Sequence, residues 1–125
     1  MIIDTDVLIW YMKGNEEAYR EIENTNKFFM SVITYIELVQ GMRNKEELDS
    51  LRKALCLWNA KILYISEDIS AKAMFCVEQH FLSHSLQLAD ALIGATAAVC
   101  SLPIFTAYDK HYKAIRGVQL KIFRP

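Results

Sequence analysis

Three carboxylates in this chain stand among apolar residues, where an acid is costly. Asp4 follows the first apolar residues of MIIDTDVLIW, and Asp is both a poor strand residue and expensive to bury. Glu37 lies between apolar neighbours in SVITYIELVQG, and Asp90 lies in the almost wholly apolar LQLADALIGATAAV. Clustered oxygen ligands without nearby Cys or His favour Mg²⁺ or Mn²⁺ over zinc. If these acids meet, they predict a site for such an ion.

An ion at that site would neutralise repulsion among the acids, polarise a phosphoryl oxygen and lower the pKa of a bound water. Each acid taken alone also has a bland interpretation as a helix cap or a solvated residue. Asp6 fits that interpretation well, because it can cap the helix that follows it. Asp90 fits it poorly, because a lone buried carboxylate needs a partner or a metal. Spacing alone leaves a metal site and a structural network of acids both open.

Short apolar runs alternate with helical runs along the chain and predict the elements that carry these acids. Strands are predicted over 1–5, 27–31, 61–65, 103–106 and 120–123. Helices are predicted over 6–13, 16–24, 31–41 (capped by Ser31 or Thr34), 44–59, 66–83, 87–101 and 109–116. This alternation implies βαβ units, hence an α/β fold with a mostly parallel five-stranded sheet and helices on both faces.

In such a sheet, ligands collect at the carboxyl ends of the strands, which is where Asp4 lies. The first and fourth strands could be neighbours, and we expect Asp4, Glu37 and Asp90 to converge at this edge. A fourth acid, Asp109, follows the fourth strand in PIFTAYDKHY.

The totals of the sequence limit its class. A chain of 125 residues suits one domain, 1–125, and its 53% hydrophobic and 23% charged content indicates a globular protein. No apolar run approaches the ~20 residues that span a bilayer, and no signal peptide fits, so we expect a cytoplasmic protein without membrane contact. The net charge of −1 gives no support to nucleic-acid binding. However, cations follow Asp109 without any further acid, which predicts either a phosphate-binding patch or a solvated tail: Lys110, Lys113, Arg116, Lys121 and Arg124.

Other reactive side chains give weaker signals. Cys56, Cys76 and Cys100 form no C-x-x-C pair, so we expect a reduced, buried thiol at each position. His80 and His84 have i, i+4 spacing but lack the Glu of an H-E-x-x-H motif, which favours a surface pair over zinc. Aromatic residues early in the chain and around residue 58 are expected in the core or at a dimer interface: Trp10, Tyr11, Phe28, Phe29 and Trp58.

Four stretches, in this order, are similar to the PIN-domain ribonucleases, and specifically to the VapC toxins of toxin–antitoxin pairs: MIIDTDVLIWYMKG, SVITYIELVQG, LQLADALIGATA and LPIFTAYDKHYKAI. The resemblance implies a three-layer α/β/α sandwich and an endoribonuclease dependent on Mg²⁺ or Mn²⁺. It also implies a VapB-like antitoxin as partner. Matched to the motifs, Asp4, Glu37 and Asp90 take the places of the metal-site acids, and Thr106 matches the hydroxyl residue that ends the fourth strand.

The last stretch departs from the family pattern, in which a polar residue stands two positions after the Thr. Tyr108 stands there, and Asp109 comes one residue later. Either Asp109 shifts in as the fourth catalytic acid or that acid is missing, and a missing fourth acid does not exclude activity. The altered segment from Thr106 to Asp109 is the only support for the alternative function, a PIN-like RNA- or protein-binding module without catalysis. Lys110, His111 and Lys113 are candidate contacts to RNA phosphates, with Thr106 as a further candidate on the substrate side.

A homodimer is also predicted, both from the resemblance and from apolar residues expected to be exposed on the early helices. These residues are Trp10, Tyr11, Ile36 and Val39.

Overall fold

The computed structural model describes residues 1–25, 27–83 and 86–125, and these residues form five strands and six α-helices. The strands are β1 (Ile2–Ile3), β2 (Phe29–Ser31), β3 (Lys61–Leu63), β4 (Ile104–Thr106) and β5 (Leu120–Ile122). The helices are α1 (Thr5–Met12), α2 (Glu16–Glu23), α3 (Val32–Gln40), α4 (Lys45–Leu57), α5 (Glu67–His80) and α6 (Leu88–Cys100). All strands pair in parallel in the order β3-β2-β1-β4-β5. The predicted five-stranded parallel sheet is confirmed, and β1 and β4 are neighbours.

The helices form a layer on each face of the sheet, because successive strand residues point to opposite faces. On β1 and β4, Ile3 and Phe105 belong to a buried cluster that includes residues of α1, α2, α3 and α4. Their neighbours Ile2 and Ile104 belong to a second cluster that includes Ile93 of α6 and residues of α5. The predicted three-layer α/β/α architecture is therefore confirmed.

The first helix begins earlier than the sequence predicts. Asp4 has extended backbone angles, and its Oδ1 accepts a hydrogen bond from the Thr5 amide at 2.8 Å, so Asp4 is the N-cap of α1. The prediction that the helix starts at residue 6 with Asp6 as its cap is wrong. Further along the chain, Asn15 and Ser31 cap α2 and α3 as expected, and each accepts a hydrogen bond from an amide of its helix.

The helix predicted over 109–116 is replaced by a 3₁₀ turn, Asp109–His111. The chain continues in turns in which the amide of Ile115 donates to the carbonyl of Tyr112. This spacing of three buries both side chains, at 1% exposure for Tyr112 and 4% for Ile115. Packing against the sheet thus overrides the helical pattern of the sequence.

Of the two predictions about reactive side chains, the one about the cysteines needs correction. All three cysteines are free, as expected, but only Cys76 is buried, whereas Cys56 and Cys100 are exposed. Both lie in the last turn of a helix, where apolar neighbours in the sequence do not guarantee that the side chain is buried. His80 is the last residue of α5, whereas His84 lies outside the described residues. The prediction of a surface pair therefore stays a prediction.

The aromatic residues of the early helices contribute to the core. The Tyr11 and Trp58 rings meet edge to face at 5.0 Å, and Phe28 is fully buried beside Trp58. Of the residues from which a dimer is predicted, Ile36 is 46% exposed, but Trp10, Tyr11 and Val39 are half-buried against the core. The expectation of broad apolar exposure there is therefore wrong for three of the four, because α1 and α3 pack against their neighbours. Within the described residues, no helix has the length and apolarity to cross a membrane.

Candidate active site

Asp4 lies at the centre of the site, at the junction of β1 and α1, and is only 6% exposed. Its Oδ2 accepts two hydrogen bonds, from the Thr106 hydroxyl at 2.8 Å and from the Tyr112 hydroxyl at 2.7 Å. Its Oδ1 accepts the bond from the Thr5 amide that caps α1. Every one of these donors is neutral, so none of them cancels the charge of the carboxylate.

Asp6 lies two residues further along the chain, in the first turn of α1, and joins α1 to the end of β4. Its Oδ1 accepts a hydrogen bond from the Val7 amide at 2.7 Å, and its Oδ2 accepts one from the Ala107 amide at 2.9 Å. Burial raises the pKa of Asp6 to about 6, and the charge of Asp4 acts in the same direction. Asp6 is thus a partly buried acid coupled to Asp4, a role that the interpretation as a cap does not predict.

Glu37 reaches the site from α3 and is held there by α1. The Thr5 hydroxyl lies 2.8 Å from Glu37 Oε1 and 3.0 Å from the Thr34 hydroxyl. Thr34 is fully buried, whereas Glu37 is exposed at the carboxyl edge of the sheet. A short polar chain therefore links the helix that Asp4 caps to the carboxylate of Glu37.

Asp90 projects from the first turn of α6, and its side chain is 16% exposed. Burial raises its pKa, the nearby His111 lowers it, and the charges of Asp4 and Glu37 raise it again. The His111 Nδ1 lies 3.4 Å from Asp90 Oδ1. The structure therefore brings Asp4, Glu37 and Asp90 close enough for their charges to interact, with His111 at the margin.

The donor set suits a hard divalent cation by its chemistry, because the converging groups are carboxylates. In the arrangement seen here, however, the described residues contain no group of three or more His, Cys, Asp or Glu side chains placed to hold a metal ion. In particular, three hydrogen-bond acceptor positions of the Asp4 carboxylate are occupied by donors of the protein. The site therefore contains carboxylates of the kind that a hard divalent cation prefers, but in this structure these described side chains are not placed around one ion position.

Asp109 points away from the other acids. Its two oxygens lie 3.2 Å from the Lys113 Nζ and 3.3 Å from an Arg124 nitrogen. The hydrogen bonds from Lys113, and then from Arg124, lower the pKa of Asp109. Arg124 also donates to the Ala107 carbonyl at 2.9 Å, so this ion pair ties the end of the chain to the loop after β4.

The other residues predicted on the substrate side fall into two groups. Lys110 and His111 are exposed beside the site, whereas Lys113 is paired with Asp109. Thr106 is fully buried behind Asp4, and its hydroxyl also accepts from the Tyr108 amide at 3.0 Å, so it supports the site from within. Lys121 pairs with Glu21 at 2.8 Å. Lys113 and Lys121 of the predicted basic patch therefore form ion pairs within the protein.

A sequence model of the PIN domain matches residues 1–118 of this chain. The chain belongs to the PIN-domain family. The resemblance stated from the sequence is thus confirmed, and the acids described above lie within the matched range.

Three relatives of this PIN domain show how far the likeness extends. Ribonuclease VapC1 of Methanocaldococcus jannaschii is 29% identical over 98% of this chain and 86% of the relative. In a toxin–antitoxin complex from Klebsiella pneumoniae, one chain is 30% identical with a TM-score of 0.73, covering 94% of this chain and 93% of that one. VapBC2 from Rickettsia felis, bound to a DNA fragment from its promoter, gives a TM-score of 0.81 over 98% of both chains at 19% identity, which bears on the fold alone.

Besides the coupling of Asp6 to Asp4, sequence reasoning on this PIN domain missed two side chains that hold the acids, Thr5 and Tyr112. Thr5 lies between the two acids of the DTD stretch, so its neighbourhood was visible, but its partner on α3 is 32 residues away. Tyr112 is 108 residues from Asp4. Its signal in the sequence was an aromatic residue shortly after the fourth strand, and nothing local indicated that its hydroxyl would reach an acid.

Proposed function

We propose that this PIN domain is an endoribonuclease toxin of the VapC type that hydrolyses RNA phosphodiester bonds with the help of Mg²⁺ or Mn²⁺. The observation that carries the proposal is the convergence of Asp4, Glu37 and Asp90 at the carboxyl edge of the sheet, where burial first, and then the charges of Asp4 and Glu37, raise the pKa of Asp90. Repulsion of this kind is costly without a cation. The family and the ribonuclease relative support the same reaction class.

We assign the metal to Asp4, Asp90 and Glu37. A bound divalent ion supplies charge stabilisation at a phosphoryl oxygen and a water of lowered pKa. Asp4 and Asp90 bring anionic oxygens from two different layers of the fold, and Glu37 completes the set from α3.

The protein's own groups orient the reaction. Glu37 is exposed and held by Thr5, so it is placed to orient the attacking water and accept its proton. A water oxygen then displaces one ester oxygen from phosphorus, and the released ester oxygen takes up a proton. His111, next to Asp90, and the exposed Lys110 contact the phosphates that flank the scissile bond.

A second function, an RNA- or protein-binding module without catalysis, is favoured by one observation. Asp109, the candidate fourth acid, is turned toward Lys113 and Arg124 rather than toward the other acids. A site that retains only three of the expected four acids could then bind RNA without cleaving it. Catalysis is the stronger proposal, because the three remaining acids still interact with one another.

The proposed partner is a VapB-like antitoxin. Its support is the solved toxin–antitoxin complex whose chain is 30% identical to this one. We also propose a homodimer, for which Ile36 on α3 is one exposed apolar contact. Sedimentation of the purified protein at micromolar concentration tests the dimer. Co-expression with a VapB-like protein as candidate antitoxin tests the partner, with relief of growth arrest as the expected result.

The activity is tested by incubating the purified protein with a structured RNA in Mn²⁺ or Mg²⁺, and in EDTA. We expect cleavage with the ion, loss of cleavage in EDTA and recovery when excess ion is returned. Asp90→Asn protein purified in parallel controls for contaminating nuclease. RNA that is bound but stays intact in both ions would replace the enzyme with the binding module.

A further inference from the structure

Asp4 is restrained more strongly than the capping of α1 requires. The Thr5 amide alone satisfies the cap through Oδ1, yet two further hydroxyls, from Thr106 and Tyr112, converge on Oδ2. They come from two different segments, the end of β4 and the chain beyond the 3₁₀ turn. An ionised carboxylate oxygen has about two acceptor positions, so both positions of Oδ2 are occupied.

We infer that Tyr112 is a positioning residue whose buried hydroxyl, together with that of Thr106, fixes the Asp4 carboxylate and leaves Oδ1 as the oxygen available to a ligand. The two O···O distances, 2.8 Å from Thr106 and 2.7 Å from Tyr112, are those of well-formed O–H···O hydrogen bonds, and hydrogen bonds to an ionised acceptor are stronger than neutral ones. The inference rests on the proposed metal site, since the ligand that Asp4 is prepared for is a divalent cation.

The Tyr112 ring has the support that such a role needs. It is 1% exposed and packs in the cluster that contains Ile2, Ile104 and Ile115. Because RNA cannot reach a side chain at this burial, Tyr112 acts through Asp4 and does not touch the substrate.

Gly94 makes the close approach of this ring to α6 possible. A Cβ at Gly94 would come within 3.3 Å of Tyr112 Cδ1 and would meet the Ile115 side chain far inside contact distance. Gly94 lies one turn after Asp90 on the same helix. Tyr112 therefore contacts the helix that carries Asp90 while its hydroxyl holds Asp4, so it sets the spacing between the two acids.

The test is Tyr112→Phe, which removes the hydroxyl and keeps the ring. Mn²⁺ binding to the full chain is measured by isothermal titration calorimetry, with thermal unfolding in EDTA as the check on folding. Groups that orient metal ligands typically contribute 10–100-fold to affinity, so we expect the dissociation constant for Mn²⁺ to rise by about tenfold or more. In the cleavage assay we expect kcat to fall while KM for RNA stays nearly constant.

Tyr64→Phe is the matched control, because Tyr64 is 70% exposed and follows β3, which β2 separates from the strand that leads into Asp4. Unchanged Mn²⁺ affinity in folded Tyr112→Phe would overturn the positioning role while leaving the metal site intact. Wild-type protein that binds no Mn²⁺ would overturn the proposed metal site and this role with it. If Tyr112→Phe does not fold, the titration is made on Thr106→Val, which removes the other hydroxyl on Oδ2, and unchanged affinity there would also overturn the inference.

Discussion

Two groups of carboxylates lie at the same edge of this sheet, and their surroundings are opposite. Asp4 and Asp6 accept hydrogen bonds from amides and hydroxyls, all of them neutral, and Asp90 has His111 beside it. Asp109, by contrast, lies between the cations Lys113 and Arg124. In the first group, burial and then repulsion between the acids raise the pKa values of Asp6 and Asp90. The pKa of Asp109 is lowered.

This difference separates a group that still needs a positive charge from one that already has it. Protein donors can orient a carboxylate without neutralising it, and that condition suits a ligand for an external cation. An ion pair between side chains, in contrast, neutralises the charge of the carboxylate and holds two segments of the chain together. By this criterion the acid cluster formed by Asp4, Asp6, Glu37 and Asp90 is the site that we propose. Asp109 with its two cations is a clamp on the loop after β4.

The largest effect expected from this contrast is that of Asp90→Asn. The change keeps the size of the side chain and removes one of the mutually repelling charges. We expect RNA cleavage in Mn²⁺ to fall by on the order of 100-fold or more, because a hard anionic ligand is lost. We expect the protein without metal to become more stable, by about 1 kcal/mol or less, because repulsion and the cost of burying the charge are relieved.

The measurements for Asp90→Asn are cleavage in Mn²⁺ and thermal unfolding in EDTA, on the same preparations. Cleavage at the wild-type rate would remove Asp90 from the metal site. A lower melting temperature in EDTA would show instead that Asp90 stabilises the fold, and the contrast between the two groups would then fail.

A second, smaller effect is the response of the metal-free protein to pH. The folded-state pKa of Asp6, about 6, lies above its ordinary value of 3.8. The folded state therefore holds the proton more tightly than the unfolded chain does. The stability that Asp6 contributes is present at low pH and is lost as the pH rises from about 4 to above 6. After allowance for solvent screening at a partly exposed group, this loss is on the order of 1–2 kcal/mol.

The pH prediction is checked by thermal unfolding in EDTA between pH 5 and pH 7. Asp6→Asn serves as the comparison, and its curve should be flatter than that of the wild type across this range. The readout is the slope with pH, since the amide itself changes the hydrogen bonds to Val7 and Ala107. Parallel slopes in the two proteins would show that Asp6 does not carry the strain assigned to it.

From the sequence, Asp4, Glu37 and Asp90 were expected to meet, but Asp6 was missed, Asp109 was offered as a fourth acid, and the way the acids are held was not predicted. The alternation of strands and helices predicts a parallel sheet, and the ends of parallel strands lie at one edge, so Asp4 and Thr106 were predictable neighbours. The contacts of Tyr112 and Arg124 were not, because each joins segments whose spacing depends on packing. The Asp6 interpretation failed for a related reason: the cap of α1 is decided by the backbone angles at Asp4, and two acids in DTD are equally good caps by composition.

The smallest effect expected is that of Asp109→Asn, which tests the clamp. The change weakens the ion pairs with Lys113 and Arg124, and exposed pairs of this kind contribute little to stability. We expect the melting temperature in EDTA to fall by about 1–3 °C, and by less in 1 M salt, which screens such pairs. Cleavage should stay within about threefold of the wild type, since weak surface contacts hold the loop only in part.

Arg124→Ala is the matched control for this last prediction, because it breaks the same clamp from the cationic side and leaves the carboxylate in place. If the clamp is all that Asp109 provides, both variants should show similar small losses of stability and activity. If Asp109→Asn instead abolishes cleavage as Asp90→Asn does, while Arg124→Ala does not, then Asp109 must leave its cations and join the acids during the reaction. The one-residue displacement of Asp109 relative to the family pattern would then be compensated by movement of the loop after β4, and the two groups of carboxylates would form a single site.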